Sequence, residues 1–151
     1  MTKFNNNQKT ALLVEDNPKD EQLTLRALNK NGLGDRVDVV RDGAEALDFL
    51  FCEGEYKDRD NMLPSVVLLD LKLPKISGLE VLKKIRSDNR TKNLPVVVLS
   101  SSDEKKDISA SYDLNVNSFV CKPVNYTTFS EVVAKLGVYW LQVNQIPSME
   151  L

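Results

Sequence analysis

Glu15-Asp16, Asp70, Ser100 and Lys122 are the residues of this chain whose types and placement could do chemistry. Each comes directly after, or ends, a short run with apolar character: Ala11 to Val14, Val66 to Leu69, Val96 to Leu99, and Ser118 to Cys121. Carboxylates gathered at one place repel each other and raise each other's pKa unless a cation joins them. An acidic, all-oxygen set without histidine or cysteine favours a hard ion, Mg2+ foremost, with Mn2+ or Ca2+ as substitutes. A lysine adds a mobile positive charge for a phosphoryl oxygen or a bare carboxylate, and a serine hydroxyl adds one directional hydrogen bond. Metal, lysine and hydroxyl facing one carboxylate are the parts needed to move a phosphoryl group onto it. Singly, each has a plainer role: a polar loop before a helix, a turn cap, a strand end, a surface turn. Their recurrence at successive run ends is what points to a site.

The elements that must position these groups are legible from pattern. Four consecutive apolar residues, Val66 to Leu69, suit a strand buried on both faces. The run ends at Asp70, before a loop that Pro74 keeps out of helix. Strands are likewise expected at Thr10 to Val14, Val37 to Val40, Pro95 to Leu99 and Ser118 to Cys121. Asn17-Pro18, Asp42-Gly43, Ser77-Gly78 and Asn125 carry helix-start chemistry. The helices they open turn inward Leu23, Ala27 and Leu28; then Ala46, Leu47, Leu50 and Phe51; then Leu79, Leu82 and Ile85. A less regular helix is expected over Asp103 to Leu114. The last has Phe129, Val132, Val133, Leu136, Trp140 and Val143 at helical spacing. Strand and helix alternate five times, which predicts an α/β fold with a parallel sheet covered on both sides. All strand carboxyl ends then lie on one edge, where open α/β sheets hold their ligands. Glu53 to Leu63 is charged and reads as a surface loop.

The chain has 151 residues, a formal net charge of -2, two cysteines and no histidine. That length is one ordinary domain, and the balance of charge argues against a nucleic-acid surface. No run is long enough to cross a membrane and no signal-peptide core opens the chain, so a cytoplasmic location is expected. Cys52 and Cys121 form no paired motif, and a histidine base or phosphocarrier within the chain is excluded. Gly-rich phosphate loops are absent after the first strand, which sets nucleotide binding aside. The stretch after Lys122 suffices for one helix and a tail, so output is expected by docking to another protein. The domain is expected over residues 10–143, with 1–9 a flexible start and 144–151 a tail.

Val-Glu-Asp-Asn at 14–17, Leu-Asp-Leu-Lys-Leu-Pro at 69–74, Pro-Val-Val-Val-Leu-Ser at 95–100 and Lys-Pro at 122–123 resemble the receiver domain of two-component response regulators. The resemblance implies a flavodoxin-like (βα)5 three-layer sandwich with strands in the order 2-1-3-4-5. It implies Asp70 as phosphoacceptor from a sensor histidine kinase. It implies Mg2+ held by Asp16, Asp70 and the backbone carbonyl of Lys72, with Glu15 assisting through water. It further implies Ser100 as switch hydroxyl, Phe119 as switch aromatic, Lys122 as phosphate-binding lysine, and a cis peptide between Lys122 and Pro123. The sequence leaves open whether Phe119 switches or is permanent core. Gly54-Glu55-Tyr56, Ala110-Ser111-Tyr112 and Trp140 look like the single-domain regulators of cyanobacterial phytochromes, which makes a phytochrome a candidate kinase.

Beside its inward face the last helix carries Val138, Tyr139 and Leu141, apolar nearly all round. A homodimer surface is expected there, the alternative being that the tail with Ile146 folds back over it. Two other readings of the whole chain remain: an unphosphorylated receiver-like interaction module, and an aspartyl-phosphate hydrolase. The hydrolase would want a second acid two residues after the nucleophile, where this chain has Lys72.

Overall fold

A computed structural model describes residues 9–123 and 125–147. Its strands are β1 (Ala11–Val14), β2 (Val37–Val40), β3 (Val66–Leu69), β4 (Val96–Ser100) and β5 (Ser118–Cys121). Helices α1 (Pro18–Asn29), α2 (Gly43–Phe51), α3 (Gly78–Ser87), α4 (Lys105–Asp113) and α5 (Tyr126–Val138) alternate with them. All four strand pairings are parallel and the sheet runs β2-β1-β3-β4-β5, the flavodoxin-like order. Residues 1–8 of the expected flexible start and 148–151 of the tail lie outside the described residues.

Side chains alternate across each strand, so the apolar runs feed two core layers. Leu12, Val14, Val67, Leu69, Val96 and Val98 pack with α2 and α3. Ala11, Leu13, Val66, Leu68, Val97 and Leu99 pack with α1 and α5. Central β1, β3 and β4 are buried along their whole length, whereas edge strand β2 alternates. This is why their sequences are continuously apolar.

Helix starts obey the local chemistry. Asn17 Oδ1 accepts from the backbone N–H of Lys19 at 2.9 Å and of Asp20 at 3.1 Å. Asp42 Oδ1 accepts from Glu45 N at 2.7 Å, and Ser77 Oγ from Glu80 N at 3.3 Å. Each satisfies orphan N–H groups of a first helical turn. The 53–63 segment is anchored as well as exposed. Gly54–Tyr56 forms a 3-10 turn, Arg59 Nε donates to Phe49 O at 2.9 Å, and its guanidinium lies 4.2 Å from the Phe49 ring centroid.

The C-terminal region departs from the helical pattern. After Val138 the chain enters a π turn, Tyr139–Val143, which holds more residues per turn than an α-helix. The wider turn rotates the face, so Leu141 is buried at 3% exposure and Val143 is 56% exposed. Leu141 therefore belongs to the core and not to a dimer surface, and Val143 takes the outward place. Ile146 packs against the α2–α3 core layer rather than over α5. Lys9 Nζ donates to the Asn144 carbonyl, tying the two ends of the domain together.

The expected cis bond is also corrected: no peptide among the described residues is cis, the Lys122–Pro123 bond included. The trans form is the favoured isomer even before proline. In this isomer Lys122 N still donates to Ser100 O at 2.7 Å, continuing the β4–β5 ladder to the sheet edge.

Candidate functional site

Strand register brings the acidic residues together. Val14 pairs with Leu69 in the parallel ladder, so Glu15 and Asp70 stand side by side one residue beyond it. Asp70 N donates to Val14 O at 3.2 Å. Glu15, Asp16 and Asp70 each offer a carboxylate oxygen, and these oxygens lie within 4.8 Å of one another. Glu15 and Asp70 are buried, at 2% and 9% exposure, and Asp16 is exposed. The donor set is all carboxylate, with an exposed side through which a partly hydrated ion could enter. That chemistry fits a hard divalent cation.

Lys122 arrives from the end of β5 and sits among the carboxylates. Its Nζ donates to Glu15 Oε1 at 2.7 Å, Asp20 Oδ2 at 3.0 Å and Asp70 Oδ2 at 3.2 Å. Burial alone would lower the pKa of this lysine. The Glu15 hydrogen bond and the charges of Asp70 and Glu15 outweigh burial and hold it above the ordinary lysine value. Burial pushes Glu15 up to about 7, against the pull of Lys122 and with the Asp70 charge adding to the rise. One ammonium facing three carboxylates is a site short of positive charge.

Asp70 is fixed at both oxygens. Oδ2 faces Lys122, and Oδ1 accepts from Lys72 N at 3.3 Å. The Lys72 side chain is exposed above this turn. Behind it, Gly78 opens α3 directly against the loop. A Cβ at Gly78 would lie 2.6 Å from Leu71 Cα and closer still to the Asp70 carbonyl oxygen. Gly78 N donates to Leu71 O at 2.8 Å, closing the loop.

Ser100 is fully buried at the end of β4. Its Oγ accepts from Ser102 N at 3.1 Å, and Ser102 Oγ donates to Asp107 Oδ2 in α4 at 2.6 Å. A hydrogen-bonded chain thus runs from the sheet edge to α4. Phe119 is half-buried and packs on the α2–α3 core layer.

Of the residues expected from sequence, Glu15, Asp16, Asp70 and Lys122 converge, with the Lys72 backbone against Asp70. Ser100 reaches Lys122 through its carbonyl, while its hydroxyl points into the α4 chain of bonds. Asp20 is the residue that sequence reasoning missed. It sits in the first turn of α1, beside the Asn17 cap, whereas Asp16 precedes that cap and lies outside the helix, so helical spacing does not link the two.

Residues 11–134 match the response regulator receiver domain. The chain belongs to this family. The protein is 39% identical over 136 residues to the probable methanogenesis regulatory protein FilR2 of Methanothrix harundinacea, covering 90% of this chain and 86% of that one. It is 36% identical over 148 residues to the response regulator Rcp1 of Synechocystis, covering 98% and 99% of the two chains. The Mn2+-bound structure of Rcp1 superposes with a TM-score of 0.85 at 37% identity, over 92% of this chain and 99% of that one. The phosphorylated cyanobacterial phytochrome response regulator RcpA superposes with a TM-score of 0.87 at 42% identity, over 93% of this chain and 99% of that one. As a receiver domain the protein implies a histidine kinase partner, and its acidic pocket is compatible with a phosphoacceptor aspartate and a bound metal. Among the described residues no helix is long and apolar enough to cross a membrane.

Proposed function

We propose that the protein is a cytoplasmic response regulator that accepts a phosphoryl group on Asp70 from the phosphohistidine of a sensor kinase. The carrying observation is Lys122 Nζ 3.2 Å from Asp70 Oδ2, within the acidic cluster of Glu15, Asp16 and Asp70. An Asp70 oxygen forms the new bond to phosphorus as the phosphorus–imidazole nitrogen bond breaks, its electron pair leaving on the nitrogen. Lys122 offsets charge on the phosphoryl oxygens, and the Lys72 N–H orients the nucleophile. Asp16, Asp70 and the Lys72 carbonyl, with Glu15 assisting through water, would hold Mg2+, which would supply further positive charge there; the Mn2+-bound form of Rcp1 supports a divalent ion of this kind. The product is an acyl phosphate, which water later removes.

The readout runs through α4. When Ser100 Oγ turns to the new phosphoryl group it leaves Ser102 N, loosening the chain to Asp107, and Phe119 moves into the space released. The resulting surface docks a downstream protein. The likeness to RcpA supports a phytochrome as the kinase. A homodimer is proposed through Val138, Tyr139 and Val143. These residues line an open groove of about 440 Å³ with Asn31, Ala134 and Lys135, and Tyr139 and Val143 are exposed large hydrophobics.

Incubation with acetyl phosphate and Mg2+, then intact-mass measurement, tests the reading. One phosphoryl group is expected on the wild-type chain and none on Asp70→Asn. An unchanged wild-type mass would leave an unphosphorylated interaction module.

A further inference from the structure

An ammonium has three protons to donate, and Lys122 places all three on carboxylates: Glu15 at 2.7 Å, Asp20 at 3.0 Å and Asp70 at 3.2 Å. A phosphoryl oxygen arriving on Asp70 needs one of these donors, so one carboxylate must let go. The three differ in what release costs. The Glu15 side chain is 3% exposed and makes the shortest of the three bonds, so water cannot take the lysine's place there. Asp70 carries the phosphoryl group itself. The Asp20 side chain is 30% exposed, so water can replace the lysine. It also lies in the first turn of α1, where the helix N-terminus stabilises a carboxylate without any lysine.

We infer that Asp20 is a positioning residue for Lys122. It holds the lysine's third donor in the unphosphorylated protein and cedes it to the phosphoryl oxygen, which makes Asp20 a built-in competitor of the phosphorylated state. The tie also joins the first turn of α1 to the end of β5, 102 residues apart in the chain, and it opens when Lys122 turns to phosphorus. Glu15 remains the lysine's permanent partner. Asp20 is set apart from Asp16, which belongs to the acidic cluster and makes no bond to Lys122 among the described residues.

The inference rests on the phosphoacceptor reading, and the test separates the two. The probe is beryllofluoride with saturating Mg2+, a non-covalent mimic of the aspartyl phosphate, titrated by calorimetry into wild type, Asp20→Asn and Asp20→Ala. Removing a partly exposed ion pair that opposes binding is expected to tighten the mimic about twofold to fivefold in both variants. Glu21→Gln controls for simple loss of negative charge, because Glu21 neighbours Asp20 but pairs with Arg41 at 2.9 Å. It is expected to bind as wild type. A structure of the beryllofluoride complex is expected to show Lys122 bonded to Glu15 and to the mimic, with Asp20 released.

Unchanged or weaker binding by both Asp20 variants would overturn the inference. So would equal tightening in Glu21→Gln, or a complex in which Lys122 keeps Asp20. Wild type that does not bind beryllofluoride at all would overturn the phosphoacceptor reading instead.

Discussion

Lys122 Nζ stands 3.2 Å from Asp70 Oδ2, although 52 residues separate them in the chain. The distance closes because β3, β4 and β5 are neighbours in one parallel sheet whose carboxyl ends share an edge. Lys122 leaves β5 one residue past Cys121, which pairs with Ser100, and Asp70 leaves β3 one residue past Leu69, which pairs with Val98.

Removing this lysine should cost stability in a metal-dependent way. Lys122→Ala leaves Glu15 and Asp70 buried without their shared counter-charge, a loss of about 3 kcal/mol in chelator. Saturating Mg2+ is expected to restore much of it by supplying another cation. Urea unfolding with EDTA and with Mg2+ measures both arms, and an equal loss in the two would contradict the account. Phosphorylation by acetyl phosphate should fall steeply in the same variant.

Mg2+ should stabilise the wild-type fold by about 1.4 kcal/mol at ten times its Kd, because it binds the folded cluster and not the unfolded chain. Thermal melts across a Mg2+ titration read this directly, and an unmoved Tm would count against the metal site. Trp140 lies in the π turn, packed on the α1–α5 core layer. Its emission should therefore barely change with Mg2+, and strong quenching would place the metal elsewhere.

Gly78→Ala should destabilise the protein by about 1–3 kcal/mol and slow phosphorylation. Its new methyl would meet the backbone of Asp70 and Leu71 and push the nucleophile's loop outward. Chemical denaturation and the acetyl phosphate reaction together report on it. A variant with wild-type stability would show that the loop yields without strain.

The exposed Lys72 side chain stands two residues past Asp70, at the turn whose N–H orients the carboxylate. Lys72→Asn is expected to change the lifetime of the phosphorylated protein more than its yield, by altering water's access to the acyl phosphate. Tracking the decay of the phosphorylated mass after donor removal tests this, and identical lifetimes would end the idea.

Much of this arrangement was written locally in the sequence. Val66 to Leu69 is continuously apolar because both faces of β3 are covered. Asn17, Asp42, Ser77 and Asn125 cap the helices they precede, a bond made within three residues. Alternation of five strands with five helices forces a common carboxyl edge, so Glu15, Asp16, Asp70 and Lys122 could be placed at one rim. Signals of this kind depend on near neighbours, which is why the order of residues suffices.

Only the tertiary structure decided the rest. Asp20 joined the site because its partner lies 102 residues away, and nothing near it in the sequence records that contact. Leu141 turned inward and Val143 outward because a π turn broke the α-helical period on which the sequence reading relied. The trans Lys122–Pro123 bond is likewise read from the structure, because a proline in the sequence leaves both isomers open. Sequence determined which groups reach the rim; packing determined which of them hold the lysine.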